Sequence, residues 1–200
     1  MARARPTALL VDLDGVLRRW DPEVPARIEA AHGLPPGSLE KTAMDWSRLR
    51  PAITGEVTHA GWMAGVAEAL GAPEAVAEWQ RYRGEVDPDV LAFIREARAA
   101  GVPVAIATNA TDHLAADLAT LGLEGEVDAV VNSSAVGAHK PTREFFTAAA
   151  TTLRTPPDRL LLVDDSDRFV RGARVVGLSA YRWNGPADLP YLRAALGLGH

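Results

Sequence analysis

Leu9-Leu10-Val11-Asp12-Leu13-Asp14-Gly15-Val16-Leu17 decides how this chain is read. A short apolar, strand-like run ends on two carboxylates one residue apart, and a glycine follows. Two acids so close make a dense negative site that must be neutralised, and a hard cation with a phosphate is suited to do it. Asp-Gly is also ordinary turn chemistry, so the segment alone reads first as a solvated turn. The decision rests on what the rest of the chain sets beside it.

Downstream of about residue 84, helical and strand patterns alternate. Val90–Ala100 has helical spacing and stops at Gly101, and Val102–Ala107 reads as a buried strand. A helix over His113–Leu121, a strand over Val127–Val131 and a helix over Glu144–Leu153 follow. Leu160–Val163, Phe169–Val176 and Ser179–Trp183 then read strand, helix, strand. With Thr7–Val11 as a further strand, the expected fold is α/β: a Rossmann-like parallel sheet with helices on both faces.

Residues 18–83 break this rhythm. Pro22–His32, Pro36–Met44, His59–Leu70 and Pro73–Tyr82 have helical patterns punctuated by Gly33, Pro35, Pro51, Gly55 and Gly71, and no strand stands out. The segment is expected to leave the sheet and return to it as a small α-helical cap. The expected division is a core of residues 1–17 and 84–200 with a cap of residues 18–83.

Composition narrows the chemistry. With no cysteine, disulfides, thiolate metal sites and cysteine nucleophiles are excluded. The five histidines show no metal-ligand spacing, which argues against a zinc hydrolase. A net charge of -5 argues against non-specific nucleic-acid binding. Apolar runs such as Ala8–Val11 and Leu160–Val163 fall far short of the ~20 residues that span a bilayer. The basic start, Met1-Ala2-Arg3-Ala4-Arg5-Pro6, does not have the form of a signal peptide and reads as a cytoplasmic N-terminus.

In open parallel sheets ligands bind at the carboxyl ends of the strands, so the polar residues closing each apolar run belong together. Strand ends place Asp12 and Asp14, then Thr108 and Asn109, then Asp164, Asp165 and Ser166 on one edge, with Lys140 in a loop near it. Taken singly, Thr108, Asn109 and the later acids would serve as helix caps and Lys140 as a surface charge. Yet nineteen of the 21 basic residues are arginine, and a lysine in this loop suggests a need for a compact point charge. Four carboxylates on one edge need a divalent cation, and an all-oxygen ligand set favours Mg2+. The cation and Lys140 would offset a phosphate, the Thr108 hydroxyl would donate to it, and one carboxylate would remain to attack phosphorus.

The ordered set Asp12-Leu13-Asp14-Gly15-Val16, Thr108-Asn109, Lys140-Pro141 and Asp164-Asp165-Ser166 resembles the four motifs of the haloacid dehalogenase superfamily, in its phosphatase-type members with a helical cap after the first strand. The resemblance implies that Asp12 is the nucleophile, forming an aspartyl-phosphate, and that Asp14 is the general acid and then the general base. It implies Mg2+ held by the Asp12 carboxylate, the Asp14 backbone carbonyl and Asp165, with Asp164 a ligand or a partner behind the ligands. Thr108 and Lys140 would bind the phosphoryl group of a small phosphorylated substrate, with Asn109 orienting this loop or touching substrate. The expected activity is phosphomonoester hydrolysis. A phosphomutase shares the constellation, and a catalytically idle binding protein shares the fold. Haloacid dehalogenation has no use for Asp14, and a signalling receiver domain would place Lys-Pro last. Substrate choice would fall to the cap, where Arg18, Arg19, Trp20, Trp46, Arg48 and Arg50 are candidates and the arginines suggest a second anionic group. Trp62, Trp79 and Trp183 read as packing residues. The sequence leaves the oligomeric state open.

Overall fold

The computed structural model describes residues 5–199, so most of the basic start read as a cytoplasmic N-terminus, and His200, lie outside the described residues. The chain runs through β1 (Ala8–Val11), β2 (Arg18–Arg19), α1 (Glu23–Ala31), α2 (Ser38–Ala43), α3 (Trp46–Ile53), α4 (His59–Leu70), α5 (Pro73–Trp79) and β3 (Glu85–Val86). It continues through α6 (Pro88–Ala99), β4 (Val104–Thr108), α7 (Leu114–Thr120), β5 (Ala129–Asn132), α8 (Ser133–Val136) and α9 (Arg143–Thr152). The last elements are β6 (Leu160–Asp164), α10 (Asp167–Val176), β7 (Ser179–Arg182) and α11 (Leu189–Leu196).

Five strands form a parallel sheet in the order β5-β4-β1-β6-β7. The motif-bearing β1 is central, with Leu9 paired to Val104 on one side and Leu161 on the other. A strand flanked on both edges and covered on both faces has no polar face, which is why Ala8–Val11 is apolar throughout. Leu9 and Val11 pack with Phe93, Ile94 and Leu192, while Ala8 and Leu10 pack with Phe145, Phe146 and Ala173. The expected parallel α/β sheet with helices on both faces is present.

Helices α1, α2, α4 and α5 gather around a separate apolar cluster of Ile28, Leu39, Ala43, Met63, Val66, Ala75 and Val76, which contains no sheet residue. The chain passes into this layer through β2 and leaves through β3, and these two pair antiparallel, Arg18 with Val86 and Arg19 with Glu85. Such a pair is too short to show a period-2 pattern, so the sequence gives no strand there. Gly84 adopts φ 74° and lies where a Cβ would approach the Arg19 carbonyl oxygen to 2.7 Å, so the close pairing needs glycine. No helix among the described residues is long and apolar enough to cross a membrane.

Three helices escape the periodicity reading, one of them the four-residue α8, which is too short to show a pattern. In α3 an interior Pro51 masks the pattern, and the start is marked only by Asp45, which accepts a hydrogen bond from the Ser47 amide at 3.0 Å. In α11, Leu189, Leu192 and Leu196 do keep helical spacing and are buried against the sheet, although the segment opens on a proline-rich turn.

Helix α2 begins at Gly37, which has no side chain with which to cap it. Glu29 from α1, 2% exposed, does this instead and accepts from the Gly37 amide at 2.7 Å and the Leu39 amide at 2.8 Å. Glu29→Ala leaves two amides without an acceptor and is expected to cost about 2–3 kcal/mol. A urea unfolding midpoint unchanged from wild type would contradict this.

Candidate active site

At the carboxyl end of the sheet, the Lys140 ammonium lies 2.7 Å from Asp12 Oδ2 and 2.6 Å from Asp164 Oδ2. All three side chains are buried. Asp12 Oδ1 accepts from the Leu13 amide at 2.7 Å, and Asp164 Oδ1 accepts from the Ser166 amide at 2.9 Å. Lys140 also sits 5.1 Å from the centre of the Phe169 ring. A buried ammonium is stable only when its protons are met by acceptors, and this one is met from two adjacent strands.

The loop that carries Lys140 is fixed from β4 and α10. The Asn109 carboxamide accepts from the Lys140 amide at 2.7 Å and donates to the Lys140 carbonyl at 3.1 Å, clamping that residue on both sides. The Lys140–Pro141 peptide is cis. Helix α10 passes close by because residue 172 is glycine: a Cβ there would come within 2.3 Å of Pro141 Cβ.

Oxygens of Asp12, Asp164 and Asp165 lie within 4.8 Å of one another, a group able to hold a metal ion. Gly15, with φ 79°, lets the first loop meet Asp165, since a Cβ would lie 2.2 Å from Asp165 Oδ2. Three carboxylates against one ammonium leave excess negative charge, and oxygen-only donors suit a hard divalent cation. Burial adds to the cost of holding these charges. Burial pushes the Asp12 carboxyl up to about 8, with the Asp164 charge adding to the rise and Lys140 opposing it. Partial burial and Asp164 likewise raise Asp165. For Lys140 burial acts against the charge, but Asp12 and Asp164 outweigh it and hold its pKa above the ordinary value.

Asp14 turns away from this group. Its carboxylate accepts from Arg18 Nε at 2.7 Å, Arg18 Nη2 at 3.1 Å and Trp20 Nε1 at 2.6 Å. Arg18 also bonds Asp117 of α7 at 3.2 Å, and Arg83 lies 3.3 Å from the same residue. A charged chain thus links Asp14 to the base of the helical layer. Beyond it, His59 stacks on His113 at 4.7 Å and shares a hydrogen bond with Thr111 at 3.2 Å. Burial, with the nearby His113 and Arg83, holds the His59 pKa below its ordinary value.

A cavity of about 620 Å³ opens over the carboxylates. Of the residues singled out in the sequence, Asp12, Asp14, Thr108, Asn109, Lys140 and Asp165 line it, whereas Asp164 is wholly buried behind them. Thr108 closes β4 and is 1% exposed. Trp20, Trp46, Trp62, Trp79, Met44 and Tyr82 form walls on the side of the helical layer. Trp62 and Trp79 also pack on that layer's apolar cluster, and Trp183 lies in the main core.

The arginines proposed for a second anion are differently placed. Arg18 is 4% exposed and shared between two carboxylates. Arg50 forms two hydrogen bonds with Glu56, and Arg48 lies 3.8 Å from Asp45; neither lines the cavity. Arg19 pairs loosely with Asp87 at 3.5 Å. Sequence reading missed Asp117, Arg83, Met44 and Tyr82, because their place follows from how the helical layer docks. The one local signal was the spacing of Arg18, four residues after Asp14.

A family model described as haloacid dehalogenase-like hydrolase matches residues 6–177. The chain belongs to this family. It is 34% identical over 121 residues to a phosphoserine phosphatase of Thermus thermophilus, covering 56% of this chain and 49% of that protein. It is 36% identical over 106 residues to a ribulose-1,5-bisphosphate 5-phosphatase of Halopiger xanaduensis, covering 51% and 44%. The chain thus spans about half the length of these curated relatives. Among solved structures, a haloacid dehalogenase family enzyme of Bacteroides thetaiotaomicron, in complex with magnesium and inorganic phosphate, superposes with TM-score 0.77 at 21% identity. That match covers 94% of this chain and 98% of the other, and shows a shared fold.

In this haloacid dehalogenase-like hydrolase the contact between Gly172 and Pro141 supports the lysine loop. Helix propensity alone makes Gly172→Ala favourable by about 1 kcal/mol. The clash with Pro141 opposes that gain with an overpacking cost of about 1–3 kcal/mol. The clash is expected to win, so a urea midpoint above that of wild type would show that the contact is slack.

Proposed function

We propose that the protein is a magnesium-dependent phosphomonoester hydrolase acting on a small phosphorylated metabolite through an aspartyl-phosphate on Asp12. The observation that carries this reading is the placement of Asp12 at the floor of the cavity. It lies among Asp164, Asp165 and Lys140, with Thr108 in the same lining and Asp14 two residues along. Two curated relatives named as phosphatases and a neighbour holding magnesium and phosphate support it.

The donor set fits magnesium: Asp12 and Asp165, together with the Asp14 backbone carbonyl, would hold the ion, with Asp164 positioned behind them by Lys140. When bound, the ion supplies charge neutralisation and polarises a phosphoryl oxygen. Lys140 and Thr108 bind the phosphoryl group, and Asn109 keeps the lysine loop in register.

An Asp12 carboxylate oxygen attacks phosphorus as the ester P–O bond breaks, and the departing oxygen takes a proton from Asp14. Asp14 then removes a proton from water, whose oxygen attacks phosphorus, and the bond to Asp12 breaks to release phosphate. For both steps Asp14 must turn from Arg18 and Trp20 toward the reacting oxygen. Residues 18–83 act as a cap over the cavity, entered and left through β2 and β3.

Phosphate release from p-nitrophenyl phosphate is expected to require magnesium, to stop with a chelator, and to vanish in Asp12→Asn. Asp14→Asn is expected to lower kcat by about 10²–10⁴-fold, the usual contribution of a general acid–base group. Equal activity of wild type and Asp12→Asn, or equal inactivity across a broad ester panel, would contradict the reading. Magnesium is also expected to raise the melting temperature of wild type and not of Asp165→Ala.

A further inference from the structure

We infer that the cavity selects a phosphate monoester whose leaving group carries a flat aromatic ring and no second anion. This rests on the phosphatase reading above and concerns the part of the cavity away from Asp12. Trp20, Met44 and Trp46 are 43%, 53% and 49% exposed, and all three line this one cavity. The remaining exposed large apolar residues, such as Val57, Val130, Val175 and Tyr191, are absent from its lining. Large apolar side chains left open beside a reacting centre mark a surface for apolar contact. Their rings are also held in place. The Trp20 ring is flanked by the Arg18 guanidinium at 4.5 Å and by Tyr82 at 5.6 Å, and Trp46 meets His139 edge-on at 5.1 Å. Rigid aromatic walls favour a rigid planar partner, which loses little freedom on binding.

Charge argues against a second anion. Arg18 and Arg83 share the Asp117 carboxylate, which holds Arg18 even when Asp14 turns away, and Lys140, between Asp12 and Asp164, serves the reacting phosphoryl group. Arg168, exposed and three residues after Asp165, stands at the phosphate end of the cavity by its place in α10. On the helical side the lining adds Glu40, which would repel a carboxylate or phosphate on the leaving group, and Asp21, whose charge is offset by Arg27 at 3.4 Å.

The test uses the full chain with magnesium and esters whose leaving groups are all primary alkoxides, so that intrinsic reactivity is roughly matched. Burying one ring is expected to raise kcat/KM for phenethyl phosphate over butyl phosphate by roughly tenfold or more. Trp46→Ala is expected to bring that ratio toward one, while Trp46→Phe, which keeps a ring, retains most of it. Phosphoglycolate, which carries a second anion, is expected to be the poorest of the set. A ratio at or below one, with butyl phosphate hydrolysed, overturns the inference and leaves the phosphatase reading intact. A preference for phosphocholine over phenethyl phosphate also overturns it, because the tryptophans would then serve a cation. Loss of all hydrolysis, p-nitrophenyl phosphate included, removes both readings.

Discussion

The Lys140 ammonium between Asp12 and Asp164 is the contact on which the active end of this molecule depends. β1 and β6 are neighbours in register, so both strands deliver a carboxylate to nearly the same place. Without a buried cation these strand ends would repel each other in a medium that screens poorly. Lysine suits this position better than arginine, because a single nitrogen reaches both carboxylates at 2.6–2.7 Å, whereas a planar fork would demand more room. The clamp from Asn109 and the close pass of Gly172 follow from the same need, since a buried charge must be held by a loop that cannot drift.

One ammonium does not cancel the carboxylates gathered there. Burial raises the pKa values of Asp12 and Asp165, and the uncancelled carboxylate charge suits the site to a divalent ion. Asp14 is kept apart from that excess by Arg18 and Trp20, so two acids separated by one residue meet different surroundings. On a continuous strand two residues so spaced would share a face, but β1 ends at Val11, and the turn that follows is free to aim Asp14 elsewhere.

The sheet was legible because each buried strand is an uninterrupted apolar run that stops at a polar residue. The apolar runs alone therefore place Asp12, Thr108 and Asp164 on one edge. The helical layer was legible in part: its longer helices show periodicity, while Pro51 hides α3 and two-residue strands carry no pattern. The arginines of the helical layer and its entry were the least readable. An arginine in sequence does not announce its partner, and Arg50 is satisfied by Glu56 across a turn while Arg18 is buried between Asp14 and Asp117. The partners of Arg18 come from opposite ends of the chain's first 117 residues and meet only after folding.

The paired strands β2 and β3 have a consequence for how such a molecule can change over time. Their pairing sets the departure and return of the helical segment side by side, with the Asp87 amide bonded to the Leu17 carbonyl at 2.8 Å just beyond. The sheet therefore experiences the intervening residues as a closed loop of fixed width, whatever their number. Helices can be lengthened, exchanged or rebuilt between residues 20 and 84 without altering the register of Asp12 against its neighbours. On the proposed reading, chemistry and selectivity would then be written in separable stretches of one chain, so that a new substrate is reached by revising only one of them.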